Sequence, residues 1–578
     1  MQRKINFRVT IIVFILSIYY LQSFATKYYV DNTNGNDTYN GLSAATAWQS
    51  LTKVNASTYS PGDSILFIRG GILRGQLLPK SGTAAGYITY ADYGSGAKPL
   101  LLGSVNVSNT GDWISEGSNI WHSAQSSTVD IGNLIFNGAA SFGVKKWTAS
   151  QLLTQGDYWW DKTGTKTVKI YSATNPATYY SDIKAAIGTF IIYIQQGSYI
   201  VLKNLALKYG SADGIEVRNT HHTIISDCEL SYIGGCELTT QVRYGGGIQF
   251  WANSNNNTVE RCKFWEIYDD AVTNQGNASA GNTVQQYNLY YRNNIILNCS
   301  ESSFCFYIQP AVVSGSFMKN IYFENNTCVN AGGGWAASPR PDLKGFQVYC
   351  SENTATTDSI FIRNNIFYKS RCVLFFDNTS VPTLSHTTTD YNCWFTQNSS
   401  DTIVAFWTSS TLTVWKATQF ANYQTSNSQD IHSFMADPLF VDAGNNDYHL
   451  AAGSPCINTG TNTGITDDFD LNPRPQNGLY DMGAYEAIIV TPGIVELTHD
   501  FDRLNIYPNP CYGLLTIAGA KKNTEIRIYS TFGEIIFRTI IENKQQTIDL
   551  SNLANGVYFV CSTNANGEIN SRKTVVLK

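Results

Sequence analysis

Two aspartates, a lysine and an arginine fall at one recurring place in the middle of this sequence. Asp213-Gly214-Ile215, Gly246-Gly247-Ile248, Asp270-Ala271-Val272, Ser302-Ser303-Phe304, Lys344-Gly345-Phe346 and Arg371-Cys372-Val373 read as equivalent segments. Equivalent places in a repeat stack in a line. The predicted row is therefore Asp213, Gly246, Asp270, Ser302, Lys344, Arg371: two carboxylates, two small residues, two cations. Such a row suits a substrate groove, or else a solvated face without function. Two chemistries fit it. β-Elimination on a uronate polymer needs a cation against the carboxylate, a base for the C5 proton and an acid for the leaving oxygen. Hydrolysis needs two carboxyl groups facing across the bond. Asp213 and Asp270, two repeats apart, are predicted about 9–10 Å apart, at or just beyond the upper end of the ~6.5–9.5 Å range of inverting enzymes.

The elements that would position these groups come from a second periodicity. Asn204, Cys228, Cys262, Asn294, Asn326, Asn365 and Asn392 form a column with intervals of 24, 34, 32, 32, 39 and 27 residues. A basic coil of about 22–27 residues with loop insertions is the pattern of a parallel β-helix. Its corners need residues that tolerate the left-handed region, as Asn does. The cysteines in two successive coils read as buried small hydrophobes or as a disulfide. The insertions Gly234–Gly245, Gly276–Tyr287, Pro310–Phe317 and Gly332–Asp342 are expected to wall the groove. Arg243 and Tyr244 end the first of them and are candidates to line it. Trp335 lies in the last and is the best placed platform for a sugar ring, ahead of Trp251, while Trp265 reads as turn packing. His221-His222 reads as a surface turn.

The remaining chain supplies context. Arg3, Lys4 and Arg8, the apolar run Val9–Leu21 and Ser23-Phe24-Ala25 read as a signal peptide over residues 1–25. The run is short of the ~20 residues needed to span a membrane. With 39 basic and 44 acidic residues, net −5, there is no basic face for nucleic acid. Of the twelve cysteines none makes a C-x-x-C pair, which disfavours structural zinc. The expected order is an N-terminal cap (26–104), an inserted Trp-rich β element (about 105–190), core coils (190–436), a closing segment (437–489), a linker (490–503) and a small all-β domain (504–578). Asp437, His449 and Asp481 lie in the closing segment, which is expected to cover the last open coil, and read as structural.

Several stretches resemble known families. Tyr28-Tyr29-Val30 with Pro61-Gly62-Asp63-Ser64-Ile65-Leu66-Phe67 resembles the N-terminal coils of bacterial β-helix proteins. With the Asn column, the chain resembles right-handed parallel β-helices of the pectate-lyase-like kind. Leu504-Asn505-Ile506-Tyr507-Pro508-Asn509-Pro510, Phe532-Gly533, Gly556-Val557-Tyr558-Phe559 and the final Lys573–Lys578 resemble the type A sorting domain of type IX secretion. That likeness implies an extracellular or surface-anchored protein handled by the type IX machinery. Cys511 replaces the usual small residue there. A Lys and an Arg on neighbouring coils beside an acidic calcium site resemble the alginate lyase and chondroitinase B family. This implies Lys344 as base, Arg371 as acid, Arg340 gripping a substrate carboxylate, and Asp269, Asp270 and Glu301 holding Ca²⁺. Tyr268-Asp269-Asp270-Ala271 resembles the paired aspartates of polygalacturonase-type helices, without their Gly-His-Gly and Arg-Ile-Lys signatures. The expectation is a monomeric secreted enzyme on a polysaccharide, first a lyase of an anionic glycan. The alternatives are a glycoside hydrolase with an Asp pair and a non-catalytic glycan-binding adhesin.

Overall fold

In the central strands every second side chain is apolar and every few residues one backbone turns left-handed, so the chain winds instead of running straight. The computed structural model describes residues 25–488 and 504–577, except 240, 280, 311–312, 339, 341, 343, 352, 354, 378–384, 408–410, 477, 521, 532 and 564–568. The proposed signal peptide and the linker lie outside the described residues. Each coil contributes strands to three faces, and all pairs between successive coils are parallel. The first face holds the beginnings of Ile215–Ser226 and Ile248–Glu260, then Asp270–Ala278, Ser302–Pro310, Phe346–Cys350 and Cys372–Phe376. The second holds the ends of those two long strands, then Gln285–Arg292, Phe317–Glu324 and Thr356–Arg363. The third runs from Ala206–Gly210 through Glu229–Ile233, Lys263–Ile267, Ile295–Cys299, Thr327–Ala331 and Ile366–Ser370 to Cys393–Phe395.

Inward residues of the three faces make one continuous core, in which Ile215, Val217, Phe250, Val272, Phe304, Phe323 and Phe367 are all but inaccessible. Phe304 and Phe323 stack with centroids 4.8 Å apart. The corner between the second and third faces refines the sequence reading. The left-handed residues are Asn204, Asp227, Arg261, Asn293, Asn325, Asn364 and Tyr391. The stacked column is the next residue along: Leu205, then Cys228, Cys262, Asn294, Asn326, Asn365 and Asn392. Asn204 therefore makes the turn and does not belong to the column. In the column each amide oxygen accepts from the backbone N–H of the coil before: Cys262 to Asn294 (2.9 Å), Asn294 to Asn326 (2.9 Å), Asn326 to Asn365 (3.0 Å) and Asn365 to Asn392 (2.9 Å). Cys228 and Cys262 are free thiols, fully buried, with their sulfurs against backbone carbonyls. That corresponds to the small-hydrophobe reading.

The closing segment is placed differently from expectation. The last coil is covered by Leu412–Lys416, antiparallel to Thr402–Trp407, and by the helix Phe420–Asn427, whose Tyr423 and Phe420 pack on Trp394. Residues 437–488 instead run back along the outside of the Asn corner. Asn364 donates to Thr461 O (2.7 Å), Asn325 to Asp481 O (3.2 Å) and Asn293 to Asp467 O (2.8 Å). Left-handed asparagines present their amides outward, which gives the segment a row of donors to bind. Asp481 accepts from the backbone of Asn458 and Ala487, a structural task, and His449 lies between Asp447 and Asp470. The fold of the segment centres on Arg474 and Glu486, whose side chains are fully buried and meet at 3.0 Å. Arg474→Ala would leave a buried carboxylate without its partner. It is expected to lower the stability of the β-helix unit by about 3–5 kcal/mol in urea titration followed by tryptophan fluorescence.

The Trp-rich insertion is a separate small β element. It has its own core of Trp113, Leu134, Phe136, Tyr158 and Ile170. The C-terminal unit is a two-sheet β domain, with Asn505–Tyr507, Leu514–Ala518 and Gln545–Asp549 in one sheet. Glu525–Tyr529, Ile535–Ile540, Gly556–Thr563 and Ile569–Val576 form the other. Cys511 is buried in its core.

Candidate active site

The corner between the third and first faces carries the acidic groups. Register places Asp213 beside Gly246, Gly246 beside Asp270, Asp270 beside Ser302, Ser302 beside Phe346 and Phe346 beside Cys372. The first four members of the predicted row thus stack as read. Lys344 and Arg371 do not belong to it. Gly345 has φ +135°, so the turn of that coil ends there and the strand starts at Phe346. The Lys-Gly-Phe triplet fits the sequence pattern two residues out of place.

Asp213 is buried and accepts from the Gly246 N–H at 2.5 Å. Its neighbour is Glu216, an outward residue between core residues Ile215 and Val217. Burial pushes Asp213 up to about 6, against the Gly246 bond that lowers it. Burial, and then the neighbouring Asp213 charge, push Glu216 up to about 8, although Arg218 binds one of its oxygens. The two neighbouring carboxyls therefore titrate as a pair. Across the Gly246 rung stands Asp270. It accepts from Ser302 Oγ at 2.6 Å and from Gln275 Nε2 at 3.3 Å, and Tyr307 in turn donates to Gln275 at 2.8 Å. Burial and then the Glu301 charge raise Asp270 to about 8. Gly246 keeps the space between the aspartates open: a Cβ there would come within 3.4 Å of Asp213 Oδ1.

Beside Asp270 lies an ion cluster. Arg340 donates to Asp269 (2.8 Å), Glu301 (2.5 Å) and the Tyr268 carbonyl (2.6 Å), and its Nε meets Asp342 at 2.9 Å. Lys344 Nζ lies 3.3 Å from Glu301 and 3.3 Å from Tyr349 OH. Burial and then the Glu301 charge raise Asp269 well above the carboxylate range. At Glu301 burial is the largest single influence, but Arg340, Asp269 and Lys344 together outweigh it and hold the carboxyl ionised. This corrects three expectations. Arg340, with 6% of its side chain exposed, already has its fork filled by the protein's own carboxylates and cannot grip a substrate's. The Asp269, Asp270 and Glu301 set does not fit calcium, because the guanidinium takes the place between Asp269 and Glu301 that a cation would need. Lys344 is a poor base, since Glu301, Tyr349 and Asp342 together outweigh burial and raise its pKa. Arg371 lies on the exposed corner, its stem against Gly345 and Gly332. Trp335 is 4% exposed. Its ring packs on Tyr268 and its Nε1 donates to Glu266 O, so it is wall packing and not a sugar platform.

Arg243 is buried with its guanidinium 3.9 Å from the Trp147 ring centre, which ties the 234–245 loop to the inserted element. Tyr244 stands beside the Asp213–Glu216 pair, and burial raises its phenol strongly. The outward row of the first face was largely unread in the sequence: Gln195, Arg218, Trp251, Gln275 and Tyr307. Each alternates with core residues, so period-two counting along each strand would have found it. The Arg218 guanidinium lies over Trp251 at 5.6 Å.

Residues 168–340 match the family described as right handed beta helix region, and residues 505–578 match the secretion system C-terminal sorting domain. The chain is a right-handed parallel β-helix protein with a secretion sorting domain. The sorting domain marks this β-helix protein for type IX export to the cell surface or beyond. A lacto-N-biosidase of Bifidobacterium longum is 40% identical over 86 residues, 14% of this chain and 5% of that protein. The chain thus spans about a twentieth of the curated relative it matches. Among solved structures, a GH136 lacto-N-biosidase from Eubacterium ramulus superposes with TM-score 0.40 at 14% identity, covering 66% of this chain and 61% of that one. Pectate lyase Pel9A does so with TM-score 0.42 at 14% identity, covering 80% and 97%. In this β-helix protein, Trp335 and Ala336 of the turn after Ala331 pack with Tyr268 and with Ile135 of the inserted element, which bounds the acidic side of the first face.

Proposed function

We propose that this protein is a carbohydrate-active enzyme, a glycoside hydrolase in which Asp270 is the general acid and Asp213, beside Glu216, the general base. The observation that carries this reading is the pair of buried acidic centres on either side of Gly246. One keeps its proton to higher pH than the other, as acid and base catalysis require. Two rungs separate them, about 9–10 Å, close to the inverting range of ~6.5–9.5 Å. Asp270 delivers its proton to the glycosidic oxygen. A water on the opposite face of the sugar gives its proton to Asp213 and attacks the anomeric carbon, which inverts. Ser302 and Gln275 fix the Asp270 carboxyl, and Arg218 holds Glu216. Tyr193, Trp251 and Tyr307 offer flat partners for sugar rings and Gln249 and Gln275 offer amides for hydroxyls. The match to a lacto-N-biosidase, confined to 86 residues, agrees with a glycosidic substrate. The ion-cluster position of Lys344 and the exposed position of Arg371 weigh against elimination.

The pH profile follows from the two shifts. Asp213 must be ionised, so kcat/KM falls as pH drops below about 6. Asp270 must be protonated, so it falls again as pH rises above about 8. A bell between those limits is expected in reducing-end assays on a panel of neutral and uronate-containing glycans. New reducing ends without ultraviolet absorbance from unsaturated uronate would support hydrolysis. Absorbance rising with each cleavage would overturn it in favour of a lyase. Silence in both, with binding to a glycan array, would favour an adhesin.

A further inference from the structure

The seam between the inserted element and the loop after Ile233 encloses space that the acid–base chemistry does not use. The loop folds back on itself as a hairpin, with Cys236 paired to Tyr244 and Glu237 to Arg243. Three contacts fix this hairpin to the inserted element. Asp130 Oδ2 accepts from the Glu237 N–H at 2.6 Å, Lys145 Nζ donates to Gly235 O at 3.0 Å, and the Arg243 guanidinium lies 3.9 Å from the Trp147 ring centre. At the same seam lies a cavity of about 480 Å³. It is lined by Trp160 and Lys162 of the inserted element and by Glu237, Leu238 and Thr239 of the hairpin. Lys162 Nζ and Glu237 Oε1 meet at 2.5 Å, so an ion pair bridges the two walls. Trp160 packs partly against the core that contains Trp113 and Tyr158, which holds its indole in place. Leu238 is 63% exposed, an apolar side chain that the protein itself does not cover.

We propose that this cavity binds an uncharged pyranose residue of the glycan, as a subsite away from the cleaved bond; the proposal rests on the reading of the protein as an enzyme on glycans. Its volume falls within the ~300–1,000 Å³ of small-ligand sites. A pyranose ring has an apolar C–H face and a rim of hydroxyls. The Trp160 indole and Leu238 suit the face. The Lys162 ammonium donates, the Glu237 carboxylate accepts and the Thr239 hydroxyl does both, which suits the rim. The paired cation and anion cancel, so the lining gives a uronate or a sulfated sugar no net charge to meet. The walls are already joined, so binding orders little. Position links the cavity to the acidic groups. Arg243, paired with Glu237, precedes Gly246 by three residues, about 10 Å of extended chain, and the Gly246 N–H is bound to Asp213. A glycan with its scissile bond between Asp213 and Asp270 therefore reaches the cavity within its next few residues.

The test uses the full chain carrying Asp270→Asn, so that ligands stay intact. Hydrogen exchange read by mass spectrometry follows peptides that contain Trp160–Lys162 and Glu237–Thr239. The ligands are neutral gluco-, galacto-, manno- and xylo-oligosaccharides, with galacturonate oligosaccharides as the charged comparison. At least one neutral series is expected to protect both peptides, and the galacturonate series neither. In isothermal titration, Trp160→Ala is expected to weaken that neutral ligand about tenfold. Leu238→Ala, at the exposed hairpin tip where truncation leaves the fold intact, should weaken it in the same direction. Protection of neither peptide by any neutral series, protection by galacturonate alone, or unchanged affinity in Leu238→Ala would overturn the subsite. Reducing ends formed by the parent chain without protection of these peptides would remove the subsite and leave hydrolysis standing. Protection without reducing ends from the parent would keep the subsite and remove the hydrolase reading.

Discussion

Asp270→Asn is expected to cost about 10³-fold in kcat, within the ~10²–10⁴ range that a positioned general acid contributes. An amide keeps the shape of the carboxyl and can still meet Ser302 and Gln275, so KM on a polymer should change little. The sign of the stability effect separates a catalytic group from a structural one. Asp270 has a folded-state pKa of about 8, above the unfolded value. The native state therefore binds the proton more tightly, and stability contributed by the protonated form is lost as pH rises from the unfolded pKa towards 8. The uncharged amide removes that loss. The variant should be at least as stable as the parent at neutral pH while almost inactive. If turnover persists at more than a tenth of the parental rate, Asp270 is not the acid.

The largest stability effect is expected in the Asn column. Asn326 accepts from Asn294 N and Nδ2 and donates to Tyr291 O and Asn365 Oδ1, all in the interior. Asn326→Ala removes four bonds and leaves buried donors and acceptors with no water to replace them. At about 1–3 kcal/mol for each group left unsatisfied, and allowing for relaxation, the loss should be about 4–6 kcal/mol by urea titration. The exported yield should fall with it. A loss below about 1 kcal/mol would mean that water enters the corner and that the ladder is not a principal source of stability.

The fold was legible because its determinants are local and repeated. Asparagine recurs at the same corner, and inward residues alternate with outward ones, so the coils could be counted without alignment. The column was misplaced only at Asn204. There the corner residue and the column residue are neighbours, and an apolar Leu205 occupies the place where later coils have asparagine. The acidic row was legible through Ser302, where coils differ by few residues. It slipped at Lys344 because the 332–345 insertion ends in a glycine turn that imitates the strand start. Glu216 was missed because a lone carboxylate between two isoleucine-like residues looks like an ordinary solvated position. Only the wall over it, built from the distant 234–245 loop, buries it. The filling of Arg340 by Asp269 and Glu301 was likewise invisible, since the sequence gives cations and anions but not who claims whom.

A stack of coils in which each touches only its neighbours comes apart from its ends, one rung at a time. Here residues 437–488 leave the last coil and hold the corner asparagines of Asn364, Asn325 and Asn293 from outside. Peeling the final coil therefore also means lifting a strip that grips coils well inside the stack. The terminal rungs share the fate of the interior, and fraying gives way to a single all-or-none transition. For a protein exposed to foreign proteases, this removes the partly opened end that such enzymes cut first.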